Sequence, residues 1–553
     1  MKKRRFQIFV FPGPLALLVF LVHGIGTVGA AESPRPNVLL IMADDLGYSD
    51  LGCYGGEIET PNLDRLAADG MRFRTFYNTA KCHTSRVALL SGLHSFQAAP
   101  PGSTRNEDHN IARGITLGQL AQSAGYFTAA LGKWDNLVPG PMEAGFDRFF
   151  GYLDGITDNW KPRSVRRGRR EGEDYYRPFQ FNGKDYKYEG EFYSSDAYAD
   201  FTMSFIDEAN EAGKPFFVYL GVNAPHYPLH APEASVRKYV GRYRDGWLAV
   251  RQRRIARQRE LGILKPGVEP ASSKRYPLPD WSAMSNEERE WQDYLMAVYA
   301  GMVDRLDWNI GRIVEHLRKT GQLDNTLIFF CSDNGACHET MSPARSQHEK
   351  QFKPWQVESY LLYGFGWAHV SNTPFHGYKA SPFEGGIASP GIVHWPAGLK
   401  VKPGTISDEK THLIDWMPTL IELTGGGYPK QGNKGPAQPL PGTCMLPAFE
   451  GKALQRELPL YFRWGPLRGL IDDSWKITSY YRGPFELFHL ANDPCETRDV
   501  AGEHPEQMEA LEAEWWRIAR EVDELPPMWL TLNDQPRREI FRGLISKKGE
   551  ERE

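Results

Sequence analysis

The sequence predicts an α/β fold in which a large, mostly parallel sheet is flanked by helices. Three continuous apolar runs, over residues 38–42, 216–220 and 327–330, have the composition of strands that are buried on both faces. Between these runs, apolar residues recur at helical spacing over 117–124 and 310–317, and a glycine suited to a helix C-terminus follows each segment. Alternation of strands with helices is typical of a largely parallel sheet.

Polar residues follow each of the three predicted strands. Asp44 and Asp45 come after the first strand, a segment ending at His226 after the second, and Asp333 with Asn334 after the third. Ligands of such sheets bind beyond the carboxyl ends of the strands. We therefore expect the functional site at this edge of the sheet.

The strand-end side chains also predict a metal site. Asp44, Asp45 and Asp333 offer carboxylates, and Asn334 offers a carbonyl oxygen. Hard oxygen donors without Cys or His suit calcium or magnesium, not zinc. The alternative for any single aspartate is a role in a turn or a helix cap. Because two distant strands both end in this way, the metal site is favoured over that alternative.

Residues 81–92 carry the most informative motif. Cys82, Ser85 and Arg86 lie close together at the start of an apolar helical segment. A helix N-terminus with a fixed cation is suited to binding an anion. The alternative is a buried cysteine that begins a core helix.

The chain divides into three predicted parts. Residues 1–31 have a basic start, a short apolar run and small residues, as in an export signal. Residues 32–430 are predicted to form the large α/β domain, and residues 431–553 a smaller α+β domain with short strands and a closing helix near 505–522. We expect a periplasmic or secreted protein without a stable membrane anchor, because no later run reaches about 18 apolar residues.

Charge and cysteine content exclude several classes of protein. The 65 basic and 69 acidic side chains nearly balance, so no global field favours a nucleic-acid partner. Six cysteines are too few for a disulfide scaffold, and no Cys-x-x-Cys pair indicates zinc.

Two segments are rich in arginine or tyrosine. The predicted helix within residues 237–264 is interpreted as a solvated basic face, with a rim that attracts polyanionic substrate as the alternative. Residues 163–188 are predicted to form a surface insertion. Aromatic and basic residues in this region line a carbohydrate path, or else they are solvated surface or part of an interface: Trp160, Arg166, Arg167, Tyr175 and Tyr176.

Nine short motifs occur in the same order as in a known family, from about Asn37 to Val522. They are Asp44-Asp45, Cys82-x-x-Ser85-Arg86, Gly132-Lys133-Trp134, Ala224-Pro225-His226-Tyr227-Pro228, Ser332-Asp333-Asn334-Gly335, Gly377-Tyr378-Lys379, Glu384-Gly385-Gly386, the segment 412–419 and the segment 486–494. The chain thereby resembles the formylglycine-dependent sulfatases of the alkaline phosphatase superfamily, and among them looks most like the bacterial arylsulfatase branch.

The resemblance implies a fold, a cofactor and partners. The fold is alkaline-phosphatase-like, with a large mixed sheet and a C-terminal domain built on an antiparallel sheet. Cys82 is oxidised to formylglycine by a maturation enzyme, and residue 82 then joins the aspartates and Asn334 as a ligand of Ca²⁺, with Mg²⁺ as the alternative. The substrate is a sulfated small molecule or glycan.

The resemblance also implies residue roles. Arg86, Lys133 and Lys379 bind the sulfate group, and the formylglycine hydrate attacks sulfur with the help of a carboxylate such as Asp333. His226, with Lys379, protonates the leaving oxygen. Either His230 touches substrate or it is a structural histidine.

Four positions depart from the family pattern. Thr84 replaces the usual Pro or Ala beside Cys82, and Asp135 replaces the His that follows Lys-Trp. The resemblance implies that this His acts in the step that expels sulfate from the enzyme. Asp135 remains a candidate base in that step, but its negative charge near an anionic substrate predicts slower turnover. Ala388 replaces a frequent Arg, and Arg463 begins a segment that departs from the branch's leaving-group motif.

Three functions are compatible with these residues. The first is hydrolysis of an aryl or carbohydrate sulfate. The second is hydrolysis of phosphonate monoesters or phosphodiesters, which the same nucleophile and metal serve in the superfamily. The third is weakly active or non-catalytic binding of sulfated glycan, which Thr84 and Asp135 motivate.

Overall fold

The computed structural model describes residues 35–523, except for residues 102, 104–108, 167–174, 189, 276–277 and 481–482. The predicted export signal and Arg167 lie outside the described residues. Among the helices that are described, none combines the length and the apolar character that a membrane crossing requires.

The strands of the described chain follow in sequence order. They are β1 (Asn37–Asp44), β2 (Met71–Tyr77), β3 (Phe127–Lys133), β4 (Arg148–Tyr152), β5 (Thr157–Asp158), β6 (Arg163–Arg166), β7 (Tyr175–Pro178), β8 (Gln180–Phe181), β9 (Lys184–Asp185), β10 (Phe216–Pro225), β11 (Thr326–Ser332), β12 (Ala388–His394), β13 (Thr405–Ser407), β14 (Thr411–His412), β15 (Gln431–Gly432), β16 (Gly435–Pro436), β17 (Leu460–Trp464), β18 (Leu467–Asp472), β19 (Trp475–Ser479) and β20 (Glu486–His489).

The α-helices of the same part are given likewise. They are α1 (Pro61–Asp69), α2 (Cys82–Ser91), α3 (Ser95–Ala98), α4 (Leu117–Ser123), α5 (Ser194–Glu211), α6 (Glu233–Arg237), α7 (Trp247–Glu260), α8 (Asn286–Lys319), α9 (Pro343–Glu349), α10 (Gly364–Ser371), α11 (Glu384–Ile387), α12 (Trp416–Thr424), α13 (Leu446–Phe449) and α14 (Pro505–Val522).

The large sheet has the order β13-β2-β12-β11-β1-β10-β3-β4-β8-β9. Its centre is parallel, because β1 pairs in parallel with β10 and β11, and β10 with β3. Strand β12 runs antiparallel to both β11 and β2, which makes the whole sheet mixed. The predicted fold class is therefore confirmed, and the three apolar runs are β1, β10 and β11.

Helices cover both faces of this sheet, which explains the continuous apolar runs. In β1, Leu39 and Ile41 join one buried cluster, while Leu40 and Met42 join the other. Helices α1, α5 and α8 contribute to the first cluster, and α2, α4 and α12 to the second. A strand that contributes to two cores has no face left for polar residues.

The C-terminal residues form a second, smaller sheet. Strands β17, β18, β19 and β20 pair antiparallel in sequence order. Helix α14 packs on this sheet through Leu511 and Trp515, which are almost wholly buried. The helix begins and ends where the sequence predicted.

The boundary near residue 430 stays a prediction, and the backbone N–H of Met445 beyond it donates to Thr419 Oγ1 of the large domain at 2.9 Å.

The arginine-rich segment forms α7, and the expectation of a solvated face is wrong for two of its members. Arg254 is buried and pairs with Asp50 at 2.6 Å and Glu57 at 2.7 Å. Arg251 is also buried and donates to backbone carbonyls. The carboxylate partners come from a loop about 200 residues earlier in the chain, so the helix sequence alone gives no sign of them.

Residues 163–188, predicted as a surface insertion, are divided between two sheets. Strands β6 and β7 pair with β5 in a small three-stranded sheet, whereas β8 pairs with β4 and, with β9, forms the edge of the large sheet. The expectation of a surface segment is therefore wrong for β8 and for Phe179 before it, which is wholly buried. Tyr175 and Tyr176 are 44% and 41% exposed, and the Arg163 guanidinium stacks on the Tyr176 ring. Trp160 is half-buried, and its indole N–H donates to the Pro354 carbonyl at 2.8 Å. A carbohydrate path along this sheet stays a prediction.

Candidate active site

The ends of β1 and β11 bring the predicted metal ligands together. These strands are parallel neighbours, so their carboxyl ends lie at the same edge of the sheet. The Asn334 amide donates to Asp45 Oδ1 at 2.7 Å, and the Asp45 backbone N–H donates to Asp333 Oδ1 at 3.3 Å. Asp44, Asp45, Asp333 and Asn334 are all buried.

Three cations from different parts of the chain neutralise this carboxylate cluster. Lys133 Nζ, at the end of β3, donates to Asp44 Oδ2 at 2.8 Å. Arg86 Nη2, from α2, donates to Asp333 Oδ2 at 2.8 Å. Lys379 Nζ donates to Asp45 Oδ1 at 2.5 Å. Buried charges persist only when they are paired in this way.

Three oxygens of the cluster accept no hydrogen bond from the described residues: Asp44 Oδ1, Asp45 Oδ2 and Asn334 Oδ1. A buried acceptor without a donor is costly, whereas a hard divalent cation takes oxygens of this kind as ligands. The grouping of Asp44, Asp45 and His226 has potential ligand atoms within 4.8 Å of one another. The residues present therefore fit a calcium or magnesium ion.

Electrostatics within the cluster shift the carboxylates in opposite directions. Burial raises the pKa of Asp44, but Lys133, His226 and Arg86 outweigh it and hold that pKa below its usual value. Burial and the neighbouring Asp44 charge raise the pKa of Asp333 well above its usual value. Binding of a cation favours the ionised form of such a carboxyl group.

Cys82 is the first residue of α2 and is 6% exposed. Burial and Asp135 raise its pKa, yet Lys133, Lys81 and Lys379 lower it more, to about 7. All six cysteines are free thiols. Next to it, Thr84 is satisfied, because its hydroxyl donates to the Lys81 carbonyl at 3.0 Å.

Asp135, which replaces the His of the family pattern, lies beside Lys133 and Cys82. It is therefore part of the cluster of carboxylates and cations. Asp135 Oδ2 is 3.6 Å from Lys133 Nζ. Burial raises the pKa of Asp135, but Lys133, Arg86 and His83 lower it to about 2, so the side chain is ionised. Potential ligand atoms of Cys82, His83 and Asp135 lie within 4.8 Å of one another. His83 was not among the predicted site residues, and its position inside the Cys82 motif was the only sign of it in the sequence.

The two histidines after β10 have different surroundings. His226 Nε2 is 3.5 Å from Asp45 Oδ2, and its Nδ1–H donates to the Tyr227 carbonyl at 2.5 Å. Burial lowers the pKa of His226 despite the attraction of Asp45 and Asp44. His230 is 1% exposed, and its Nε2–H donates to the Ser359 carbonyl at 2.7 Å. These contacts favour the structural interpretation of His230.

Arg463 lies away from the carboxylate cluster. Its guanidinium pairs with Asp523 at 3.0 Å and stacks over the Phe96 ring. The neighbouring Trp464 has its ring 5.8 Å from Lys81 Nζ, at the residue before Cys82. Strand β17 therefore reaches the start of α2 through Trp464.

Comparison with known proteins identifies the group to which this arrangement belongs. A family model described as Sulfatase matches residues 36–426. The chain belongs to the sulfatase family. An arylsulfatase of Klebsiella aerogenes is 32% identical over 461 residues, covering 79% of this sulfatase and 96% of the relative. An uncharacterized sulfatase of Schizosaccharomyces pombe is 31% identical over 88% of this chain and 94% of its own.

Solved structures agree with the fold. The crystal structure of Ps i-CgsB in complex with k-i-k-neocarrahexaose has a TM-score of 0.62 and 26% identity, covering 90% of this sulfatase and 99% of that chain. A phosphonate monoester hydrolase of Agrobacterium radiobacter has a TM-score of 0.54 and 20% identity, covering 88% and 96%. The latter likeness is one of fold alone. The alkaline-phosphatase-like fold is confirmed, and family membership supports hydrolysis of sulfate esters as the activity.

Proposed function

We propose that this sulfatase cleaves sulfate monoesters with residue 82 in its formylglycine form and with a calcium ion held by Asp44, Asp45, Asp333 and Asn334. One observation carries the proposal. Three buried oxygens without donors lie in the same cluster as three buried cations and the Cys82 side chain. Oxygen ligands suit the ion, and fixed cations suit an anionic substrate.

When present, the ion polarises the sulfate ester and formylglycine supplies a nucleophilic hydroxyl. The side chains of Lys133 and Lys379 then bind the sulfate oxygens, where negative charge increases in the transition state. Both ammonium groups already occupy buried, paired positions, so little reorganisation is needed during reaction. We propose that Arg86, which was expected to bind sulfate, instead fixes Asp333. Its guanidinium donates to Asp333 Oδ2 at 2.8 Å, to the Lys133 carbonyl at 3.1 Å and to the Tyr219 hydroxyl at 3.0 Å.

The leaving oxygen needs a proton, and two groups of this chain are candidates. Lys379 Nζ lies 2.5 Å from Asp45 Oδ1, and an ammonium group offers three N–H donors, so it can donate to a second oxygen beside Asp45. His226 commits its Nδ1–H to a carbonyl, so Nε2 must take up a proton before His226 can donate one. Lys379 is therefore the better placed of the two.

The relatives suggest the substrate class. One is an arylsulfatase, another is an N-acetylgalactosamine-6-sulfatase of Canis lupus familiaris, and one solved neighbour holds a carrahexaose. We propose an aryl or carbohydrate sulfate as substrate for this sulfatase. We also propose that the protein is exported, and that a maturation enzyme oxidises Cys82.

Three measurements on the purified protein test the proposal. The first is hydrolysis of an aryl sulfate and of sulfated oligosaccharides, with an aryl phosphonate assayed in parallel. The second is peptide mass spectrometry around Cys82, because conversion exchanges sulfur for oxygen and removes hydrogens. The third is activity after chelation and after return of calcium or magnesium.

Matched variants sharpen the result. Cys82→Ala should abolish hydrolysis, whereas Cys444→Ala, at a half-buried thiol outside the cluster, should leave it intact. Preferred cleavage of the phosphonate would favour the second function named above. An unmodified Cys82 in protein from its native host, together with glycan binding and no hydrolysis, would favour the binder.

A further inference from the structure

Asn372 lies between the loop after β11 and the loop that carries Lys379. We infer that Asn372 is a positioning residue, which sets the distance between the proposed metal ligands Asp333 and Asn334 and the sulfate-binding Lys379. The inference rests on the proposed function, because it assigns a role within the same site. Asn372 itself is wholly buried and contacts none of the reacting groups assigned above.

The amide group of Asn372 joins the two loops directly. Its Oδ1 accepts a hydrogen bond from the Ala336 backbone N–H at 3.0 Å, and its Nδ2 donates to the Gly377 carbonyl at 3.0 Å. Ala336 follows the metal-ligand loop by two residues, and Gly377 precedes Lys379 by two. A side chain that offers both an acceptor and a donor is needed for this bridge.

Backbone contacts show how closely the two loops approach. The Lys379 N–H donates to the Ala336 carbonyl at 3.1 Å, and the Gly335 N–H donates to the Gly386 carbonyl at 3.0 Å. A Cβ placed on Gly335 would lie 1.8 Å from the Gly385 carbonyl oxygen and 3.2 Å from Asn372 Oδ1. Glycine is therefore required at 335, where the loop after β11 packs against α11.

Arg251 holds the segment that contains Asn372. Its guanidinium donates to the carbonyls of His369 at 3.0 Å and Pro374 at 2.8 Å, on either side of Asn372. It also donates to Thr373 Oγ1 at 3.1 Å and to the Ala271 carbonyl at 2.9 Å. A buried guanidinium with fixed donors clamps the backbone of this segment.

The test measures calcium affinity and catalysis in the same variants. Asn372→Asp keeps the acceptor for the Ala336 N–H but turns a carboxylate oxygen toward the Gly377 carbonyl. We expect calcium affinity, read from calcium-induced shifts of the melting temperature, to fall by about tenfold, the smaller end of the effect of losing a direct partner of a metal ligand, because Asn372 acts one step further from the ion. We expect kcat on an aryl sulfate at saturating calcium to fall by a similar factor, with KM nearly unchanged.

Leu511→Ala is the control, because Leu511 is buried in the C-terminal cluster, away from the two loops. It should lower the melting temperature and leave calcium affinity and kcat unchanged. If Asn372→Asp does not fold, Arg251→Lys is measured instead. Calcium affinity and kcat should fall in this variant as well, since one ammonium group cannot replace the fork of donors that holds the segment around Asn372.

The outcomes separate this inference from the proposed function. An Asn372→Asp protein with wild-type calcium affinity and kcat and only a lower melting temperature would overturn the positioning role. A wild-type protein whose melting temperature does not respond to calcium would refute the metal site proposed above, and the positioning role with it.

Discussion

Replacing Glu496 by glutamine should remove a pH dependence from the stability of the fold. Lys476 of β19 contacts two buried carboxylates, Glu384 at 2.8 Å and Glu496 at 2.7 Å. Glu496 also accepts the Glu384 backbone N–H at 2.7 Å. Two acids thus share one buried ammonium, and the excess negative charge has no water to solvate it.

The magnitude follows from the pKa of Glu496. Burial, and then repulsion by Glu384, raise this pKa from 4.5 to about 7 in spite of Lys476. The folded chain therefore keeps a proton that the unfolded chain has lost, and the free energy of unfolding declines as the pH rises from about 4.5 to 7. At about 1.4 kcal/mol per pH unit, the loss is about 3 kcal/mol, and it levels off above pH 7.

Urea unfolding of wild type and Glu496→Gln at pH 5, 6, 7 and 8 measures this. Between pH 5 and pH 8 the difference in free energy of unfolding between the two proteins should change by about 2.5 kcal/mol in favour of the variant, because glutamine does not titrate. Titrating groups distant from Glu496 cancel in the difference. A difference that stays constant with pH would refute the reasoning, and so would one that changes in favour of the wild type.

Three more predictions concern the carboxylate and cation cluster. Asp135→His should raise kcat on an aryl sulfate, on the order of tenfold, because it removes an ionised carboxylate beside Lys133 and supplies an acid–base group; a clear drop in kcat would contradict this. Arg86→Met should abolish activity and lower the free energy of unfolding by about 3–5 kcal/mol, since Asp333 and Asp44 would lose a buried cation; denaturant melts measure it, and near-wild-type stability would be the contrary result. Chelated protein should gain about 3 kcal/mol of stability at calcium a hundredfold above its dissociation constant; a melting temperature indifferent to calcium would argue against the ion.

The centre of the large sheet was predictable because β1, β10 and β11 each contribute to two buried clusters. Residues 38–42, 216–220 and 327–330 have no polar face, and that pattern alone identifies β1, β10 and β11. The antiparallel strand β12, which makes the sheet mixed, was harder to predict from the sequence. Strand β12 contains Pro390 and Gly391, which weaken the strand signal, although its partners β11 and β2 bury it completely.

Site residues that belong to short sequence motifs were predictable. Residues whose surroundings are set by distant parts of the chain were not. Asp44, Asp45, Asp333 and Asn334 follow strands, so their meeting at one edge could be expected. Arg251 and Arg254 looked like a solvated face, since nothing local reveals that Asp50, Glu57 and backbone carbonyls from other segments surround them. Asn372 was not among the predicted site residues, because nothing near it in the sequence shows that its amide joins two loops of the site.

The burial of α2 has a consequence for the order of events in biosynthesis. Nine of the ten residues of this helix, Cys82 among them, are buried in the finished fold. If an enzyme oxidises Cys82 as proposed, it needs the surrounding backbone in an extended, accessible form. Oxidation of Cys82 would then have to precede folding of α2, and chains that fold first would keep a buried, unoxidised thiol.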